Sequence, residues 1–148
     1  MAWTAPGWFV QTHIDQWDPS ALSIDLTSDS DLKAAFWGPS ITPAYGTDTA
    51  YGTAPWNSGE SNGAGYTTGG IAVVGTTLAV VSGAMKFDAD NFSIPNSTIE
   101  AEGYVLYDDT TGDRLVLAIW FGGPEETQDG TYLVTHDAAG IASLDLTP

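Results

Sequence analysis

The stretch from Ile99 to Phe121 constrains the fold more than any other. Ile99, Ala101, Gly103, Val105 and Tyr107 alternate with Glu100 and Glu102, the period-2 signature of a half-buried strand. Asp108-Asp109-Thr110-Thr111-Gly112-Asp113 supplies turn chemistry, and Arg114 to Phe121 reads as a return strand. That second strand is apolar on both sides, with Leu115, Leu117, Ile119 and Phe121 assigned to one face and Val116, Ala118 and Trp120 to the other. Such a strand is central in a sheet covered on both faces, or it turns its outer face to a partner.

Similar short runs recur. Leu32–Trp37 ends at Gly38-Pro39, and Ile71–Val74 and Leu78–Val81 are β-branched pieces split by Gly75-Thr76-Thr77. Thr131–Thr135 and Ile141–Leu146 are expected to close the chain as a hairpin through His136–Gly140. Helical periodicity is weak, and only Asp18-Pro19-Ser20-Ala21-Leu22 resembles a helical turn, with Asp18 as cap and Pro19 at the first position. With 17 glycines and 8 prolines in 148 residues, the pattern predicts one all-β domain, a small antiparallel sandwich or barrel.

Between residues 39 and 65 the strand pattern lapses. Ala-Tyr-Gly-Thr occurs at 44–47 and again at 50–53, followed by a polar, glycine-rich run. Loops of this length are usually functional or disordered, and Tyr45, Tyr51 and Trp56 argue for order. The glycines of 63–75 miss the dinucleotide-binding spacing by one, and no Gly-Lys-Ser/Thr follows. A strand comes next where a phosphate loop needs a helix N-terminus, so these glycines serve turns and close backbone approach.

Charge narrows the partners. Lys33, Lys86 and Arg114 face 19 carboxylates, for a net charge of −16. Nucleic acid and anionic membrane surfaces would repel such a chain. No apolar run is long enough to cross a membrane, and Met1–Gly7 lacks the regions of an ordinary export signal. Without cysteine there is neither a disulfide nor a thiolate site. His13 and His136 are expected in turn or surface positions. Asp25, Asp29, Asp31, Asp88 and Asp90 invite a calcium reading, but Phe92 falls where the next ligand should be. No catalytic residue, cofactor site or dedicated metal site is expected; adventitious divalent binding at surface carboxylates stays open. Six tryptophans could stack on sugars, yet four lie in the first 37 residues, where packing or assembly accounts for them.

The segments DSDLKAAFWGPSITP, SNGAGYTTGGIAVVGTTLAV, MKFDADNFSIPNSTIEAEGYVLYDD, RLVLAIWFGG and LVTHDAAGIASLDL resemble, in this order, a family of small tailed-bacteriophage virion proteins known as capsid decoration or cement proteins. The resemblance spans residues 29–146 and includes no catalytic motif. It implies a structural protein on the outer capsid surface of a virion. Its partners would be the major capsid protein and copies of itself, with a trimer favoured. A tail or fibre component contacting the host, and a carbohydrate-binding module, are the alternatives. Residues 1–28 fall outside the resemblance and are expected to form an extension or arm on a domain spanning 29–148. Trp3, Trp8, Trp17, Tyr45, Tyr51 and Trp56 are the expected interface residues.

Overall fold

The computed structural model describes residues 3–19 and 22–147. Their order is β1 (Gly7–Trp8), α1 (Val10–Trp17), β2 (Leu32–Trp37), β3 (Ile71–Ala72), β4 (Thr77–Val81), β5 (Ala84–Asp88), β6 (Phe92–Asp108), β7 (Arg114–Val134) and β8 (Ala142–Asp145). The strands form two antiparallel sheets, β1-β7-β6-β2-β3 and β4-β5-β8, so the fold is an all-β sandwich.

The β6–β7 hairpin is the spine. Asp108 ends β6 because its Oδ1 accepts from Thr110 N (2.8 Å), Thr110 Oγ1 (2.7 Å) and Thr111 N (2.8 Å), which bends the chain into the turn. Leu106 pairs with Leu117, but Tyr107 pairs with Leu115, leaving Val116 as an extra residue. This bulge reverses the alternation. Leu115 therefore joins Ala118 and Tyr107 on one face, while Val116 and Leu117 pack on the other with Tyr104 and Leu106. The grouping of Leu115 with Leu117 expected from strict alternation does not hold; Ile119 and Phe121 do share the Leu117 side.

Around Leu115–Ala118 the large sheet is covered on both faces, which explains why β7 is apolar from Leu115 to Phe121. One core lies on the side of Phe36, Phe87, Phe92, Tyr104 and Leu106. The other holds Ala35, Trp37, Val105 and Tyr107, roofed by Trp3, Phe9, Ile41 and Trp56. The roof comes from the N-terminal segment and the 39–65 excursion. That excursion is anchored by Tyr51 N donating to Asp113 O (2.8 Å), Leu115 N donating to Thr49 O (3.0 Å) and a bridge from Trp37 to Glu60.

Three expectations are corrected. Residues 3–17 are not an arm: β1 pairs with β7 at Gly7–Ala118 and Trp8–Leu117, and Phe9 is fully buried. Trp3 reaches the sheet because Gly103 has no side chain; a Cβ there would lie 2.6 Å from the indole ring. Next, the helix precedes Asp18 rather than starting from it. Asp18 is extended (φ −92°, ψ 174°), as the residue before a proline prefers, and its N–H closes the helix on Ile14 O. Ser20 and Ala21, part of the expected turn, lie outside the described residues. Finally, residues 131–135 and 141–146 do not pair with each other. Thr131–Val134 finish β7 in the large sheet, whereas β8 pairs with β5 in the small one.

The glycine run beyond residue 62 is structural. At Gly63 a Cβ would sit 1.6 Å from Thr98 O, so only glycine lets this loop lie against β6.

Candidate functional site

The expected interface residues divide into two groups. Trp3 (2% exposed) and Trp56 (1%) are core residues, and Tyr45 and Tyr51 pack against the same cluster half-buried. Trp56 meets Trp37, Phe9 and Trp3 edge-on at 5.2, 5.7 and 6.1 Å between ring centroids, and its Nε1 donates to Asp48 Oδ2 (3.0 Å). Tyr45 Oη donates to Ala5 O (2.5 Å) and accepts from Trp3 Nε1 (3.1 Å). The loop's aromatics are therefore spent on the domain's own roof, and their expected place at an intersubunit surface is corrected. A wide aromatic β-sheet face was available to cover, and burial there removes more apolar area from water than a loop tip could.

Glu60 fastens that roof. Its Oε1 accepts from Tyr66 Oη (2.5 Å) and Gly69 N (2.8 Å), and its Oε2 accepts from Tyr51 Oη (2.6 Å). Tyr51 stacks on Tyr107 (4.4 Å, 7° between planes), whose Oη donates to Gly69 O (2.7 Å). Burial, reinforced by the Glu60 carboxylate, pushes the Tyr51 and Tyr66 phenols well above their ordinary range, so both remain hydrogen-bond donors.

Of the aspartates that invited a calcium reading, Asp25 and Asp29 hold loop backbone in place. Asp25 Oδ1 accepts from Thr27 N (2.8 Å) and Oγ1 (2.6 Å), and Asp29 Oδ1 accepts from Thr76 N (2.9 Å) and Oγ1 (2.8 Å). These bonds hold both carboxyls below the usual range. Asp88 Oδ1 accepts from Ala89 N (3.0 Å). Among the described residues no group of three or more His, Asp or Glu side chains is placed to hold a metal ion. His136 stands edge-on to Phe92 (4.6 Å) and bonds Ala89 O through Nδ1 (3.2 Å), a packing role. His13 is half-buried beside Trp8 (5.1 Å), and desolvation lowers its pKa below 6.5.

Trp17 and Trp8 behave differently from the other tryptophans. Trp8 is half-buried, its Nε1 donating to Ser143 O (3.2 Å). Trp17 is 70% exposed and shares the outward side of α1 with Val10 (49%) and Ile14 (51%). Spacing i, i+4, i+7 puts all three on one helical stripe. Thr12 faces the opposite way, buried, with Oγ1 donating to Leu115 O (2.5 Å). Arg114 pairs with Asp15 and ties the helix to β7. The apolar stripe of α1 thus points to solvent, the reverse of an ordinary surface helix. The stripe was readable in Val10, Ile14 and Trp17, but nothing local says which side a short helix turns inward.

A groove of about 220 Å³ runs beside the helix, walled by His13, Trp17, Ile24, Leu26, Leu78 and Met85. Beyond it every residue of β4 is exposed. Of the six tryptophans only Trp17 offers an open ring, so no row of exposed tryptophans exists for sugar stacking.

Comparison with protein-family models, curated proteins and solved structures finds no match to this chain.

Proposed function

We propose that the protein is a virion structural protein that binds the outside of a tailed-bacteriophage capsid lattice and stabilises it, with the major capsid protein as its partner. The observation that carries this reading is the outward apolar stripe of α1, Val10, Ile14 and Trp17, on an otherwise strongly acidic chain. A helix held with its apolar side to solvent suits contact rather than chemistry. The resemblance of residues 29–146 to decoration proteins supplies the class of partner. Many copies, each held by a modest contact, reinforce a lattice through multivalency. A subunit of charge −16 binds best through a surface whose contact residues are uncharged, and Val10, Ile14 and Trp17 are three such residues.

Particles produced without the protein, mixed with purified protein and pelleted, provide the test. The expected result is saturable binding at hundreds of copies per particle. Trp17→Ser should weaken it by about thirtyfold, the loss of one hot spot of about 2 kcal/mol, with unchanged thermal melting. Wild-type affinity in that variant removes the stripe from the interface. A handful of copies per native particle points to the tail instead and overturns the reading.

A further inference from the structure

We propose that two copies of the chain pair edge to edge through β4, joining their three-stranded sheets into one of six strands. The inference does not rest on capsid binding: it is argued from the backbone edge of β4, although Trp17 of the α1 stripe and Leu78 of β4 wall the same groove.

Strand β4 ends the sheet β4-β5-β8, so one side of its backbone faces no other strand. Exposed edges are ordinarily blunted by lysine, proline, a bulge or an inward charge. Thr77-Leu78-Ala79-Val80-Val81 has none of these, and it pairs with β5 without a register shift. Its hairpin turn is the two-residue Ser82-Gly83, both at positive φ (51° and 85°), a type I′ geometry that keeps the edge straight to its end. Val80 is 82% exposed although it pairs with the half-buried Met85 of β5.

Charge selects the occupant. Residues 61–85 contain no Asp, Glu, Lys, Arg or His, in a chain with 19 acids. A two-fold contact sets each surface against its own copy, so an acidic face opposes carboxylate to carboxylate. Strand β4 avoids this. Its sequence is also self-complementary in the antiparallel sense. With Ala79 opposite the second copy's Ala79, Leu78 faces the second copy's Val80 and Thr77 faces its Val81. Exposed apolar pairs then meet on one side of the new sheet, beside the groove that Trp17 and Leu78 wall. Asp29, bonded to Thr76, falls just beyond the five paired residues. Two edges of this length bury less than the roughly 1,200 Å² typical of stable complexes, so the dimer is weak and depends on concentration.

Sedimentation of the intact chain over about a hundredfold range of concentration is the first measurement. The expected result is a monomer–dimer equilibrium that shifts toward dimer as salt screens the −16 charges. Val80→Lys should raise the dissociation constant more than tenfold without lowering the melting temperature, since Val80 is exposed. A second measurement exploits the absence of cysteine: Ala79→Cys should give covalent dimers with a short bis-maleimide, and Leu133→Cys, also exposed but on β7, should not. A monomer at every concentration, a trimer, association unmoved by Val80→Lys, or equal cross-linking of both cysteine variants overturns the proposal.

Discussion

Replacing Trp56 by alanine separates a roof from an interface. Trp56 is 1% exposed and touches three aromatic rings of the second core. Removing a buried tryptophan costs about 3–5 kcal/mol from lost transfer energy and the cavity left behind. The edge-on ring pairs push the value toward the upper end of that range. Asp48 loses the indole donor but keeps Ala44 N at 2.8 Å, so no carboxylate oxygen is stranded. For a chain near 150 residues each kcal/mol moves the midpoint by about 2–4 °C, which predicts a fall of roughly 6–20 °C. Against a total stability of about 5–15 kcal/mol the variant stays folded at room temperature or is close to the limit. Circular dichroism melting measures it directly. A loop residue presented to a partner would instead change stability by less than about 0.5 kcal/mol. A midpoint within about 2 °C of wild type refutes the reading that the 39–65 excursion closes the core.

Two other perturbations probe the same packing. Glu60→Ala strands the hydroxyls of Tyr51 and Tyr66, and charge-assisted bonds of this kind contribute about 1.5–3 kcal/mol each; chemical denaturation should show a loss of at least about 2 kcal/mol, and a neutral result would mean water replaces the carboxylate freely. His13 gives a pH signature. Its buried Nε2 has no partner and its folded pKa lies below 6.5, so the unfolded chain takes up the proton first. Its contribution is complete above about pH 6.5 and is lost as pH falls through 6.5 toward the folded value. His13→Gln should therefore lose less stability than wild type between about pH 7 and 5, and parallel losses in the two proteins would dismiss the coupling.

Much of the sheet was legible because its signals are local. The strand at 99–107, the Asp108 turn and the Leu32–Trp37 run are where their residues predict. The single buried face expected from the 99–107 alternation does not hold. A register shift between Ala101 and Gly103 puts Val105 and Tyr107 on the face opposite Ile99 and Ala101, and the strand is buried on both sides from Gly103 to Asp108. What escaped depends on distant partners. The Val116 bulge is invisible in a run of apolar residues, since only the pairing of Leu106 and Tyr107 reveals it. The Ser82-Gly83 hairpin is a turn dipeptide in the sequence, but it follows a longer glycine run whose turn signals are as strong. The roof was misassigned for a physical reason. Tyrosine and tryptophan in a glycine-rich loop have the composition of an interface and equally of a lid on an aromatic sheet face. The choice rested on Gly103 making room for Trp3, and on Glu60 collecting Tyr51, Tyr66 and Gly69.

Under the proposed function, the orientation of α1 is the step that joins fold to binding. Left to burial alone, a helix with Val10, Ile14 and Trp17 on one stripe would roll that stripe toward the sheet, gaining about 1.5–3 kcal/mol for each large side chain covered. It is held otherwise by Phe9, buried at its first turn, by Thr12 Oγ1 on Leu115 O, and by the Arg114–Asp15 pair. Arg114 is one of only three strong bases in the chain, and it is used to fix this helix rather than to offset surface charge. The unrealised burial becomes available when a second surface covers the stripe. A chain that repels most acidic partners then has an apolar face whose attraction does not weaken as salt rises, and added salt should strengthen its binding to an acidic lattice and weaken it to a basic one.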